Sequence, residues 1–268
     1  MGKFKRALVF VTFFLITFTS QAQITLDPVN TGPYSAGSSI AVTFNTGNNC
    51  IPTGNTFELY LSDANGNFST ETRIGTYTGF YSTFVNGTIP STIAAGANYQ
   101  LRVKSTSLNS YSAPSTPFTI GAGAAVVAKV SSFPILDAAN GIFGYCPGKD
   151  QTEFDFNNES TTNSTVSGTI RNELTKTSAG TLTFTSATSG FTASLAHYTV
   201  FITATLNGAV GTRAYAVVNN NVFNSFSTSG NNGGLFTWRV PGIWCRCDQP
   251  RQKYTKQLSR KYLSNQMG

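Results

Sequence analysis

The 268-residue chain predicts an all-β protein built as two tandem sandwiches. Three observations carry that expectation. Thr occurs 38 times, and β-branched and aromatic residues suit a pleated, half-buried surface. Charged residues are 11% of the chain, well under the roughly 25% of a typical soluble domain, while 40% is hydrophobic. Short apolar alternations recur along the chain, separated by Gly- and Asn-rich turns, and no long amphipathic helix stands out.

The N-terminus comes first. Residues 1–6 carry Lys3, Lys5 and Arg6, and residues 7–18 are an apolar run broken only by Thr12 and Thr17. Ser20 and Ala22 place small residues at the −3 and −1 positions of a cleavage site. This is the pattern of a secretory signal peptide over residues 1–22. The run is short of the roughly 20 residues that span a bilayer, so no transmembrane span is expected in the mature chain. The expected location is secreted, extracellular or on the outer cell surface.

Residues 23–120 then read as seven short strands: 24–26, 39–44, 57–61, 72–78, 83–89, 99–103 and 117–120. Ile40, Val42 and Phe44 alternate with polar or small neighbours, as do Tyr99, Leu101 and Val103. Asn65-Gly66 predicts a type I′ hairpin turn, because that turn needs φ > 0 twice. Strands of this length and spacing predict an immunoglobulin-like β-sandwich. Residues 121–128 (GAGAAVVA) read as a domain junction. Gly121-x-Gly123 lacks the third Gly and the following helix of a dinucleotide fingerprint.

Residues 121–240 repeat the style, with strands at 126–130, 153–156, 165–170, 182–185, 198–206 and 213–218, and a hairpin signal at Asn207-Gly208. Residues 97–103 (ANYQLRV) align with 196–202 (AHYTVFI) at an offset of 99, the size of one sandwich. That makes Tyr99 and Tyr198 candidates for the structural tyrosine that tucks against the sandwich end. Ordinary strand tyrosine is the competing reading.

The stretches 57–68 (FELYLSDANGNF), 87–90 (GTIP) and 95–103 (AGANYQLRV) resemble repeat modules of large secreted surface proteins of the Bacteroidetes. More loosely, so do 144–148 (GYCPG) and 226–232 (FSTSGNN). The resemblance implies Ig-like or PKD-like repeats of the kind that end in gliding-motility-associated or type IX secretion sorting domains. No recognisable sorting domain follows here. Residues 241–268 change texture, with six bases between Cys245 and Lys261. A docking arm, a solvated tail and a frameshift product compete for this basic tail, and the abrupt change favours the frameshift.

The pI near 9.3 and net charge of +7 therefore mislead. Three bases lie in the signal and seven in the last 30 residues. Residues 23–238 hold 8 bases against 10 acids, a net charge of −2. A nucleic-acid partner has no support in that balance.

Catalytic equipment is sparse, so no enzyme activity, cofactor or metal is expected. The single histidine, His197, has no G-x-S-x-G or H-E-x-x-H companion and reads as a loop or strand-edge residue. Asp63-Ala-Asn65-Gly66-Asn67 starts like a calcium loop, but Gly falls at position 4 and Ile74 at position 12, so a turn explains it better. Asp150, Glu153 and Asp155 read as a solvated edge. Cys50 and Cys146 are structural candidates in different domains, and Cys245 and Cys247 lie in the tail.

The functional expectation is a non-enzymatic stalk, adhesin or interaction segment, with other surface proteins or extracellular polysaccharide as partners. The alternative is a carbohydrate-binding accessory module that stacks sugars on Tyr77, Phe80, Tyr81 and Phe84. Core burial of half of these is the competing reading, since alternation would bury every second one.

Overall fold

The structure is a computed structural model that describes residues 24–47, 51, 54–78, 83–145 and 150–219. The expected signal segment, the tail, Cys50, Cys146, Phe80 and Tyr81 lie outside the described residues.

The fold is all-β, and each half is an immunoglobulin-like sandwich. The N-terminal half comprises β1 (Thr25–Leu26), β2 (Tyr34–Ser35), β3 (Ser39–Asn45), β4 (Thr56–Leu61), β5 (Thr72–Thr78), β6 (Phe84–Thr88), β7 (Gly96–Tyr99), β8 (Leu101–Ser105), β9 (Ser110–Tyr111) and β10 (Phe118–Gly121). Sheet β1-β3-β6 packs on sheet β5-β4-β8-β9. Ile40, Val42 and Phe44 of β3 meet Phe57, Leu59 and Leu61 of β4 and Leu101 and Val103 of β8 in one core. Phe44 and Phe57 lie 4.8 Å apart between ring centroids.

The C-terminal half comprises β11 (Val130–Ser131), β12 (Ile135–Asp137), β13 (Ile142–Tyr145), β14 (Thr152–Asn158), β15 (Thr165–Asn172), β16 (Ser178–Thr183), β17 (Thr188–Ala193), β18 (Ala196–Leu206) and β19 (Ala209–Asn219). Its strand order repeats that of the first half: β11-β14-β17 on one side, β16-β15-β18-β19 on the other. The parallel strand at the edge is repeated too. β2 runs parallel to β10, and β13 runs parallel to β19. Phe154 and Phe156 of β14 bury against Val166, Val200, Ile202 and Val217.

The two halves are closely joined. β3 is buried on both faces, not one. Ile40, Val42 and Phe44 fill their own core, while Ser39 and Ala41 turn to the second half. The Ala41 N–H donates to Thr212 Oγ1 of β19 at 3.0 Å. On β19, Val210, Ala214, Ala216 and Val218 join the first core, while Ala209, Tyr215 and Val217 join the second. β19 thus buries both of its faces. Val210 also pairs with Tyr34, so β2, β10 and β7 continue the sheet of β18 and β19.

The junction 121–128 is part of this packing. Val126 and Ala128 are fully buried. The Val126 N–H donates to Ser38 Oγ at 2.9 Å, and the Ala128 N–H donates to Ser39 Oγ at 2.8 Å. The segment crosses directly over Gly211, where a Cβ would stand 2.1 Å from the Val126 carbonyl oxygen. Any side chain there would hold the two backbones apart.

An ion-pair chain also bridges the halves. Thr43 Oγ1 donates to Asp27 Oδ2 at 2.6 Å, and Arg171 Nη1 reaches the same oxygen. Arg171 Nε meets Glu173 Oε1 at 2.8 Å, and Lys176 Nζ meets Glu173 Oε2 at 2.6 Å. Glu173 is buried, which is tolerable for a carboxylate held by two cations.

Of the local expectations, the Asn207-Gly208 hairpin holds and others are corrected. Asn207 and Gly208 both have positive φ, 50° and 82°, and form the tight β18–β19 turn. Asn65-Gly66 does not make the expected hairpin turn. β4 ends at Leu61 and β5 begins at Thr72, and only Gly66 of the pair has positive φ. The expected strand 126–130 survives only as β11, because Val126 and Ala128 bond to side chains of the other half and Val127 bonds to Thr161. His197 is not at a loop or edge. It lies on β18, paired with Val218 of β19, its carbonyl accepts from the Glu173 N–H at 2.8 Å, and it is 6% exposed.

Candidate functional site

The outward face of β5-β4-β8-β9 holds a close cluster of charged and aromatic side chains. Alternation builds it. Phe57, Leu59 and Leu61 point inward, so Glu58 and Tyr60 point out. Leu101 and Val103 point inward, so Arg102 and Lys104 point out. Register then sets Tyr60 opposite Arg102, Glu58 opposite Lys104, and Lys104 opposite Tyr111 of β9. Cross-strand neighbours at this spacing interact directly.

Arg102 sits at the centre. Its guanidinium carbon lies 3.9 Å from the Tyr111 ring centroid and 4.6 Å from that of Phe68, which reaches in from the loop before β5. Arg102 Nε meets Glu71 Oε2 at 2.6 Å. That hydrogen bond pushes the Arg102 pKa up. Lys104 Nζ lies 5.4 Å from the Tyr111 centroid. Tyr60 and Tyr111 are 6.1 Å apart at 55°. The Tyr60 hydroxyl donates to Glu58 Oε2 at 2.9 Å, and Arg73 Nη1 meets Glu58 Oε1 at 2.7 Å. Burial and then the Glu58 charge push the Tyr60 hydroxyl up to about 12, so it stays a donor at neutral pH. Burial pushes Glu58 up, but the Arg73 and Tyr60 hydrogen bonds outweigh it and hold the carboxyl below its usual range. The result is a pre-ordered surface of Tyr, Phe and Arg; Tyr and Arg are among the residue types enriched at the hot spots of protein interfaces. Alternation exposes these residues one strand at a time, but only the folded register assembles them.

The residues singled out from sequence fall elsewhere. Tyr77 and Phe84 do not form a sugar-stacking surface. They are 3% and 1% exposed and pack in the first core with centroids 5.8 Å apart. Adjacent strands placed both on inward positions. The Tyr99 hydroxyl donates to the Ala94 carbonyl at 2.8 Å, and the Tyr198 hydroxyl donates to the Ser194 carbonyl at 3.2 Å. Both rings are buried at matching places in the two sandwiches. Asp63 turns its carboxylate back over its own turn, accepting from the N–H groups of Asn65 and Asn67 at 2.9 and 2.8 Å. Glu153 and Asp155 lie on the exposed face of β14. Among the described residues, no cluster of three or more His, Cys, Asp or Glu side chains could hold a metal ion. No helix among them is long and apolar enough to cross a membrane.

No protein-family model matches this chain, and no curated protein matches it. Solved structures give loose likenesses. One is of the fibronectin(III)-like modules of Clostridium thermocellum CbhA, at 12% identity, covering 74% of this chain and 94% of that one, with a TM-score of 0.25. Another is the BSP domain of a biofilm-associated protein, at 13% identity, covering 76% and 31%, with a TM-score of 0.30. A third is SGBP-B of a Bacteroides ovatus mixed-linkage glucan utilization locus, in complex with a heptasaccharide, at 12% identity, covering 75% and 46%, with a TM-score of 0.26.

Proposed function

We propose that this chain is a non-enzymatic interaction segment of a secreted or cell-surface protein, acting as part of a stalk or adhesin. Signal-peptide cleavage after Ala22 would deliver it outside the cell. The two sandwiches, residues 23–120 and 121–240, present the β5-β4-β8-β9 face to a protein partner. The observation that carries this reading is the Phe68–Arg102–Tyr111–Tyr60 stack with its flanking charges. Its rings are held in place before binding, so little side-chain freedom is lost on contact.

A protein partner fits this face better than a stacked sugar. Sugar stacking needs a bare ring face, and one face of the Tyr111 ring is already taken by Arg102 at 3.9 Å. Of the expected sugar platform, Tyr77 and Phe84 are core residues.

Binding of the fluorescently labelled chain to intact producing cells tests the proposal. The double variant Arg102→Ala, Tyr111→Ala is expected to lower binding at least tenfold, about the effect of one hot-spot side chain. The double variant Glu153→Ala, Asp155→Ala, on a different exposed face, is expected to leave it unchanged. Equal binding by all three proteins would overturn the assignment of this face.

A further inference from the structure

A second feature lies between the halves. On the edge of β19 opposite β18, β2 pairs at Val210 and β13 pairs from Ala216 onward. Between those points no strand of the described residues covers β19. Asn86 of β6 fills part of the gap: its Nδ2 donates to the Ala214 carbonyl at 2.9 Å, and its Oδ1 accepts from the Ala214 N–H at 2.8 Å. What remains open is a groove of about 250 Å³, lined by Thr76, Thr88, Asn86, Asn140 and Arg213 among others.

Arg213 is the unusual member. Its Nε is buried and has no hydrogen-bond partner among the described residues. Arg73, Arg102, Lys129, Arg171 and Lys176 each meet a carboxylate, whereas Arg213 and the outward-facing Lys104 form no ion pair among the described residues. Its guanidinium carbon lies 5.8 Å from the Tyr215 centroid. Nearby charges do not neutralise it. Lys129 is already paired with Glu159 at 2.8 Å. The Asp137 carboxylate is engaged by Asn140, through its N–H at 3.2 Å and its Nδ2 at 2.7 Å. Because the Nε has almost no accessible surface, a ligand in the groove is left the two terminal guanidinium nitrogens to meet.

We infer that this groove is a binding site for the carboxylate of a single uronic-acid unit, as found in acidic extracellular polysaccharide. The guanidinium fork matches a carboxylate in two-point geometry. The Thr76 and Thr88 hydroxyls donate or accept, and Asn140 Oδ1 is left to accept because its amide nitrogen is spent on Asp137. That mixture suits the hydroxyls of a sugar ring. The volume is below the roughly 300–1,000 Å³ of sites for drug-sized ligands, so it admits one ring and not a chain.

Titration calorimetry of the full chain with galacturonic acid tests the site, with glucose, sodium sulfate and N-acetylglutamate as parallel probes. Saturable galacturonate binding is expected, at least tenfold weaker for Arg213→Gln and for Thr88→Glu. The second variant sets a carboxylate at an exposed rim position, so it blocks the site without removing a buried group. Arg102→Ala is expected to bind galacturonate normally, which separates this site from the proposed protein-contact face. The inference falls if galacturonate does not bind, if both groove variants bind as the parent does, or if glucose, sulfate or N-acetylglutamate binds as tightly.

Discussion

His197 shows how burial turns one side chain into a pH-dependent load on the fold. It lies on the face of β18 opposite Tyr198 and Val200, and burial pulls its pKa from 6.5 down to about 4, against the raising effect of the Glu173 charge. The folded chain therefore holds His197 neutral down to about pH 4, whereas the unfolded chain protonates it from about pH 6.5. The unfolded state binds more protons in that window, so stability rises with pH across it. This contribution is intact above about pH 6.5 and is lost as pH falls toward 4. Between pH 7.5 and 4.5 the loss is about 2–3 kcal/mol. Urea unfolding at those two values should show it in the parent and a markedly smaller drop in His197→Gln. Equal drops would mean that other groups set the acid limit.

Asn86 is decisive for how the strands β6 and β19 meet, because its carboxamide answers Ala214 as a neighbouring peptide would. Asn86→Leu would leave that N–H and carbonyl without their partner, at a cost of about 2–4 kcal/mol for the two groups. Urea midpoints should report the loss, and a change under 1 kcal/mol would mean that water replaces the amide. This cross-strand closure was not legible in the sequence, since Asn86 and Ala214 are 128 positions apart. The inward alternations of β3, β4 and β8 were legible, because each strand has a solvent or interface side distinct from its core side. The second burial of β3 was hidden, because Ser39 and Ala41 are small enough to suit either water or a close neighbour. β2, β9 and β12 have two or three residues, too few to display a period of two. The contact face was half-legible: Glu58, Tyr60, Arg102 and Lys104 read as outward residues, but only register brings Tyr111 and Phe68 onto Arg102.

At the scale of the molecule, the shared strand β19 determines how the chain should come apart. Independent modules joined by a linker would each keep a whole core and unfold separately. Here Val210, Ala214, Ala216 and Val218 belong to the first core while their neighbours on the same strand belong to the second. Losing the C-terminal half would strip those side chains from the first core and bare Ser39 and Ala41. It would also break the Asp27–Arg171 pair. Rigid coupling of this kind makes a specific thermal prediction. Scanning calorimetry of the chain should give one transition, with calorimetric and van't Hoff enthalpies equal within error. Gly211→Ala forces a Cβ against the Val126 carbonyl and should lower that single transition by an amount matching about 1–3 kcal/mol of overpacking, without splitting it. Two resolved transitions in the parent would mean that the halves are thermodynamically separate despite their shared strand.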